Sequence, residues 1–189
     1  MKTLKITLIV IASILLAGVV VFGYYGGFKR VKFEIAELGG DTLVYREMNG
    51  DYALSGQVMD EVYNVLKEDY NISTTKGFGI YYDNPRQTAK EKRRYDAGCI
   101  VNGADSAQLA AIAEKYKVSV LHRDTFLTSS FPYKGKASVI MSIAKVYPAM
   151  INYFEKNLGV ENFGPVMEIY DPRAGKIYYR TYLLDAAPQ

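Results

Sequence analysis

The sequence predicts an α+β fold in which a β-β-α-β-β unit occurs twice, behind one apolar N-terminal helix. Three observations support this prediction: an uncharged apolar run at the N-terminus, the same order of strand-like and helix-like segments in both halves, and a short match at the corresponding strand of each half. Together they predict a pseudo-twofold antiparallel sheet with two helices on one face.

Composition limits the number of domains and excludes several kinds of site. With 189 residues, about one domain of ordinary size remains beyond the apolar run. The 23 Lys and Arg against 20 Asp and Glu give a net charge of +3, too small and dispersed for a nucleic-acid surface. Cys99 and His122 are the single Cys and the single His, so we expect no metal site and no cofactor, and we expect Cys99 to be buried.

The N-terminal run is the first predicted element. No charged residue occurs from Ile6 to Phe28, which is long enough to cross a hydrocarbon core of ~30 Å as a helix. The alternative is a cleaved signal peptide after the basic start at Lys2 and Lys5, but the run exceeds the usual ~7–15 apolar residues. We favour an uncleaved single-pass anchor within residues 1–30, followed by one domain over residues 31–189. Basic residues nearly balance across the run, so its topology stays open, with a lean to a cytoplasmic domain.

The first half of the domain has the pattern strand, strand, amphipathic helix, strand, strand. Val58, Val62 and Leu66 recur at helical spacing and predict the buried face of that helix. A short Ala-rich helix begun by Ser106 follows the last strand. The predicted segments are 32–38, 42–48, 55–70, 77–83 and 94–101.

The second half repeats this order. Gly159 is expected at the end of its helix, and Pro148 is expected to kink that helix or to mark its first turn after a break. The predicted segments are 118–124, 126–133, 137–159, 164–171 and 176–184.

A short match between the halves predicts which residues share one face of the sheet. "GIYYDNP" aligns with "MEIYDPR", so that Ile80 matches Glu168 and Tyr82 matches Tyr170. If the helices cover Met167 and Ile169, strand alternation turns the neighbouring side chains to the opposite face, toward a cleft. The six residues predicted to line this cleft are Phe78, Ile80, Tyr82, Val166, Glu168 and Tyr170.

Two segments carry a resemblance to a known family. "GIYYDNPRQTAKEKRRYDAG" at 79–98 and "PVMEIYDPRAGKIYYRTYL" at 165–183 resemble the GyrI-like small-molecule-binding domain, the effector-binding domain of AraC- and MerR-type bacterial regulators, a duplicated SHS2-type unit. The resemblance spans residues 31–184. Relatives in regulators carry a helix-turn-helix domain, and this chain has the predicted anchor in its place. The resemblance therefore implies a small-molecule ligand, and the anchor argues against direct transcriptional control. The dispersed net charge predicts no nucleic-acid partner.

The resemblance also implies a role for Glu168. In the family, the glutamate of the E-x-Y strand lies at the base of a cleft that receives aromatic or cationic small molecules. A carboxylate among tyrosine rings attracts a delocalised cation through its charge and through the ring quadrupoles. Some GyrI-like proteins hydrolyse strained electrophilic compounds, so the alternative function is a hydrolase with Glu168 as acid and base. A purely structural alternative pairs Glu168 with Arg180.

Overall fold

The domain is built on one antiparallel sheet with helices on one face, behind an apolar N-terminal helix. The computed structural model describes residues 2–159 and 163–183. The predicted strand end at Leu184, and the parts of the predicted domain at 160–162 and 184–189, lie outside the described residues. The helices are α1 (Lys2–Tyr24), α2 (Ser55–Glu68), α3 (Ser106–Ala113) and α4 (Lys136–Leu158). The strands are β1 (Glu34–Leu38), β2 (Thr42–Asn49), β3 (Gly77–Tyr81), β4 (Arg94–Ile100), β5 (Lys117–Val120), β6 (Asp124–Pro132), β7 (Val166–Asp171) and β8 (Lys176–Tyr182).

The sheet order confirms the predicted duplicated α+β class. The eight strands lie in the order β1-β6-β8-β7-β3-β4-β2-β5, and every neighbouring pair is antiparallel. β7 and β3 pair at the centre, and β8 with β6 on one side corresponds to β4 with β2 on the other. A pseudo-twofold axis therefore passes between β3 and β7.

The edge strands are exchanged between the two halves. β1 pairs with β6, with Glu34 opposite Thr128, and β5 pairs with β2, with Thr42 opposite Val120. The sequence order placed β1 in the first unit and β5 in the second. Each half therefore completes its sheet with the first strand of the other half.

The β1–β2 connection and the β5–β6 connection, which make this exchange possible, cross each other and are in direct contact. The Gly40 N–H donates to the Leu121 carbonyl at 2.6 Å, and the Leu121 N–H donates to the Asp41 carbonyl at 2.8 Å. A Cβ at Gly39 would lie 2.3 Å from the His122 carbonyl oxygen, and Gly39 has a φ of +133°. Only glycine fits this crossing, because it has no Cβ and adopts positive φ without strain.

Helices α2 and α4 cover the same face of the sheet, as predicted. α2 packs against Ala97, and α4 packs against Tyr179. Gly79 lies opposite both Ala97 and Glu168, and Glu168 lies opposite Tyr179. Because residues directly opposite in neighbouring strands point to one face, α2 and α4 cover the same face of the sheet.

Individual helix predictions are confirmed, and one of the two alternatives for Pro148 is excluded. The buried face of α2 includes Val58, Val62 and Leu66. Gly159 ends α4 in the left-handed conformation with a φ of +67°. Pro148 does not break α4, which runs without interruption from Lys136 to Leu158. Pro148 is exposed on the surface of the helix, and a kink at this position stays a prediction.

Candidate ligand-binding site

Glu168 is a buried acid at the centre of the sheet. It lies in the middle of β7, on the face covered by α4, and is 2% exposed. The Tyr147 hydroxyl, from α4, donates to its Oε1 at 2.7 Å, and the Tyr170 hydroxyl donates to its Oε2 at 2.5 Å. Among the residues that the structure describes, no Lys, Arg or His pairs with this carboxylate.

Tyrosines surround this carboxylate on several sides. Tyr170 packs against the apolar clusters under both α2 and α4, so it lies at the junction of the two halves. The Tyr81 hydroxyl shares a hydrogen bond with Ser55 of α2 at 2.9 Å. The Tyr179 hydroxyl shares one with Ser142 of α4 at 2.6 Å. The site therefore combines one acid with aromatic groups from β3, β7, β8 and α4.

The environment disfavours negative charge at the site. Burial raises the pKa of Glu168, and the hydrogen bonds from Tyr170 and Tyr147 offset only part of this effect. Burial likewise raises the pKa of Tyr81 and of Tyr179, and the nearby Glu168 carboxylate raises both further. A cation beside Glu168 would relieve the desolvation cost of its ionised form.

The contact between α4 and the sheet buries several hydroxyl groups beside its apolar side chains. Ser138 and Ser142 of α4 are fully buried, and they hydrogen-bond to the Gly135 and Val139 carbonyls of the same helix region. Within the described part of the chain, the buried hydroxyls of Ser129 and Thr181 lack a hydrogen-bond partner. Unpaired buried polar groups make a contact less favourable, so they weaken the packing of α4 on the sheet relative to a fully apolar contact.

The structure divides the six predicted site residues between the two faces of the sheet. Val166 packs under α4 together with Glu168 and Tyr170, so these three lie on the helix face. Phe78 and Ile80 pack with Met167 and Ile169 in the cluster on the opposite face. The expectation that the helices cover Met167 and Ile169 is therefore wrong.

Tyr82 also lies away from Glu168. Its hydroxyl donates to Asp96 Oδ2 at 2.6 Å. Asp96 stands opposite Ile80 in the β3–β4 pair and so belongs to the face without helices. Burial raises the pKa of Asp96, although the Tyr82 hydrogen bond lowers it in part.

A one-residue difference in the alignment of the halves explains this division. Gly79 lies directly opposite Glu168 across the central strand pair, so the pseudo-twofold axis relates Gly79 to Glu168 and Tyr81 to Tyr170. The sequence alignment had matched Ile80 and Tyr82 to these positions. Since side chains alternate along a strand, a shift of one residue transfers every matched side chain to the other face.

Three residues of the site were missed from the sequence. Tyr81 could have been found by aligning Gly79 with Glu168, whereas Tyr147 and Tyr179 come from segments that the match between the halves does not include. The proposed structural pair of Glu168 with Arg180 is wrong. Arg180 lies on the opposite face, where its guanidinium donates to Asp41 Oδ2 at 2.9 Å.

Metal binding and thiol chemistry have no support in the described residues. No group of three or more His, Cys, Asp and Glu side chains in that part of the chain could hold a metal ion. Cys99 is buried, as predicted, and burial raises the pKa of its thiol to about 12. A thiol protonated at neutral pH is a poor nucleophile.

Comparison with known proteins identifies the family. The chain belongs to the GyrI-like small molecule binding domain family, whose model matches residues 32–184. The testis-expressed protein 264 homolog of Mus musculus is 23% identical over 135 residues, which are 68% of this chain and 41% of that protein. The chain spans about two fifths of the length of the curated relatives it matches.

Two solved structures share the fold. The EcmrR C-terminal domain superposes with a TM-score of 0.53 at 11% identity, over 80% of this chain and 96% of that one. The integron cassette protein VCH_CASS2 of Vibrio cholerae superposes with a TM-score of 0.51 at 13% identity, over 81% and 97%. At these identities, the likeness concerns the fold alone.

Proposed function

We propose that this protein is a membrane-anchored module that binds an aromatic or organic cation against Glu168. The observation that carries the proposal is a buried carboxylate that has two tyrosine donors and no basic partner among the described residues. A protein that needed only a structural acid here would gain by pairing it, because an uncompensated buried charge is costly. A bound cation supplies the missing charge.

The surrounding rings define the kind of cation. Tyrosine faces attract positive charge through their quadrupoles and also offer apolar area. A delocalised or quaternary cation gives up less hydration than a compact ammonium when it enters such a site. We therefore expect ligands that combine an aromatic or alkyl surface with a weakly hydrated positive charge.

Ligand entry requires α4 to separate from the sheet. Glu168 is closed off in the structure, and Tyr147 of α4 forms part of its cover. The polar contact beneath α4 lowers the cost of this separation. The Tyr147 hydrogen bond is lost when α4 moves, and the ligand then replaces it as the partner of the carboxylate.

The same site supports a second candidate function, a hydrolase of strained electrophiles. Burial raises the pKa of Glu168, which favours the protonated form that a general acid requires. Turnover of such a compound by the wild type, with none by Glu168→Gln, would support this function. Binding of cations without any turnover would support the first.

The direct test of the binding proposal compares two isosteres. Trimethylanilinium and tert-butylbenzene have nearly the same shape and differ by one positive charge. Titration calorimetry of the full chain in a mild detergent should show tighter binding of the cation. Equal affinity for the two compounds would contradict the proposal.

Replacing Tyr170 with Leu should lower the affinity for both trimethylanilinium and tert-butylbenzene by roughly threefold to tenfold, because a ring face is lost while the carboxylate remains. Tyr82→Leu is the matched control, since Tyr82 contacts Asp96 on the opposite face. The same titrations measure both variants. A loss of affinity in Tyr82→Leu with none in Tyr170→Leu would place the ligand on the face without helices.

The anchor forms the other part of the proposal. The apolar helix is long enough to cross a membrane over Thr3–Tyr24, and its most apolar 18 residues are not buried against the rest of the protein. It ends four residues before the predicted limit at Phe28, because residues 25–28 form a turn. By length and composition alone, a signal sequence would pass the same criterion.

Intact-mass measurement of the protein purified from membranes tests the anchor. We expect the mass of the chain with the α1 segment retained. A mature species that starts near Tyr24 would show that a signal peptide had been removed, and it would contradict the anchor without affecting the proposed cation site.

A further inference from the structure

The chain turns back on itself directly after α1. The Gly26 N–H donates to the Gly23 carbonyl at 3.0 Å, and the Gly27 N–H donates to the Phe22 carbonyl at 2.8 Å. The Lys29 N–H then donates to the Gly26 carbonyl at 2.9 Å. These bonds hold the first basic residue after the apolar helix close to its last turn. If α1 spans a bilayer, Lys29 therefore lies at the level of the lipid headgroups.

The domain holds this turn in a fixed position. Gly26 and Gly27 are buried, and the Lys145 Nζ of α4 donates to the Gly27 carbonyl. A Cβ at Gly26 would lie 2.8 Å from the Phe131 ring, and Gly26 has a φ of +90°. Glycine is required here because the backbone both approaches a ring closely and adopts positive φ. Lys145 is thus placed at the same level as Lys29.

A cavity opens between this turn and α4. It is widely open to solvent and has a volume of about 490 Å³, and its lining residues include Gly27 of the turn, Ala149 of α4, and the basic residues Lys29, Arg30 and Lys145. No Asp or Glu lines it. In the part of the chain that the structure describes, none of the three cations forms an ion pair.

These features together suit one type of ligand. Ligand sites commonly have volumes of ~300–1,000 Å³, so the cavity admits a group as large as a phospholipid head. Three cations without acidic neighbours favour an anion, and basic groups immediately beside a membrane helix attract anionic lipids. Because the cavity lies at the end of α1, it would be at the level of the lipid headgroups, which contain phosphate esters.

We propose that the cavity lined by Lys29, Arg30 and Lys145 binds the headgroup of an anionic phospholipid. This inference rests on the proposed anchor and not on the cation site at Glu168. The bound lipid contacts both the anchor turn and α4, so it fixes the domain against the membrane surface on the side where α4 covers Glu168.

The test uses the full chain in nanodiscs that contain phosphatidylcholine and phosphatidylserine. The lipids that stay bound after transfer to detergent are identified by native mass spectrometry. We expect phosphatidylserine to be enriched on the wild type. Each basic group near an anionic surface contributes a preference of roughly fivefold, so Lys29→Gln/Arg30→Gln should lower the enrichment roughly 25-fold. Lys145 stays unchanged, because its replacement would also release the Gly27 carbonyl.

Lys115→Gln/Lys117→Gln is the matched control, since these exposed lysines pair weakly with Asp69 and Glu47 and lie outside the cavity lining. It removes the same charge and should keep the enrichment. An equal loss in both double variants, or no enrichment on the wild type, would overturn the proposal. Full displacement of the retained lipid by excess inorganic phosphate would also overturn it, by showing that the site takes free anions.

Two further measurements separate this proposal from the others. The intact mass reports whether the anchor is retained, and the trimethylanilinium affinity reports on Glu168. A chain that keeps its anchor and binds the cation, yet retains no phosphatidylserine, would overturn the lipid site alone.

Discussion

Replacing Glu168 with Gln should lower the affinity for trimethylanilinium by roughly tenfold to a hundredfold and leave that for tert-butylbenzene nearly unchanged. A charge contact to an organic cation in a desolvated site contributes ~1–3 kcal/mol, and each 1.4 kcal/mol changes the dissociation constant tenfold. Gln has nearly the same size, and its amide can still pair with the Tyr147 and Tyr170 hydroxyls, which rotate to donate or accept. Titration calorimetry of the full chain measures both affinities.

The matched control for this variant is Asp96→Asn. Asp96 is also buried, also accepts a tyrosine hydrogen bond, and also has a raised pKa, but it lies on the face without helices. Its replacement should leave the affinity for trimethylanilinium unchanged. If Asp96→Asn lowers the affinity for trimethylanilinium and Glu168→Gln does not, the ligand occupies the opposite face. A cavity of about 230 Å³ adjoins Asp96 and Tyr82 on that face.

The stability of the ligand-free protein should fall as the pH rises, and Glu168→Gln should remove part of this fall. Because burial raises the pKa of Glu168 in the folded state, the folded chain holds this proton at a pH where the unfolded chain has released it. The stabilisation is complete below the unfolded pKa of about 4.3 and is lost as the pH rises through the folded pKa. Thermal unfolding of both proteins across this range measures the difference.

Tyr147→Phe tests whether the Tyr147 hydrogen bond stabilises the ionised Glu168 carboxylate. It removes one donor to the buried carboxylate, which should cost ~1–3 kcal/mol where Glu168 is ionised and less at acid pH. In the Glu168→Gln background, this dependence on pH should disappear. Equal costs in both backgrounds at every pH would show that the charge of Glu168 does not strengthen this hydrogen bond. Saturating trimethylanilinium should reduce the loss of stability at high pH, since the cation stabilises the ionised form.

Sequence periodicity was sufficient for the fold class and insufficient for the site. Segments such as Val58 to Leu66 carry a repeated helical pattern, and tertiary packing only strengthens that local preference. The face of a strand depends on a single residue of register, and Gly79, which has no side chain, gave the alignment no signal at the position that corresponds to Glu168. The match of Tyr82 with Tyr170 rests on residue identity alone and is wrong.

Contacts between distant segments were the other part that the sequence did not predict. Tyr147 reaches Glu168 only because α4 crosses β7, and Asp41 takes Arg180 as its partner across the sheet. Neither contact follows from spacing along the chain. The buried position of Glu168 came from a family resemblance, and its partners could be found only from the packed helix and sheet.

The exchange of edge strands has a consequence for synthesis on the ribosome. β1 pairs with β6, as in the pair Glu34 and Thr128, so its partner is made late. At about 5–20 residues per second, the roughly 90 intervening residues leave β1 without its partner for about 5–20 s. During this time α1 can already be inserted in a membrane. The acidic Glu34 and Glu37 keep the waiting strand from pairing with neighbouring nascent chains.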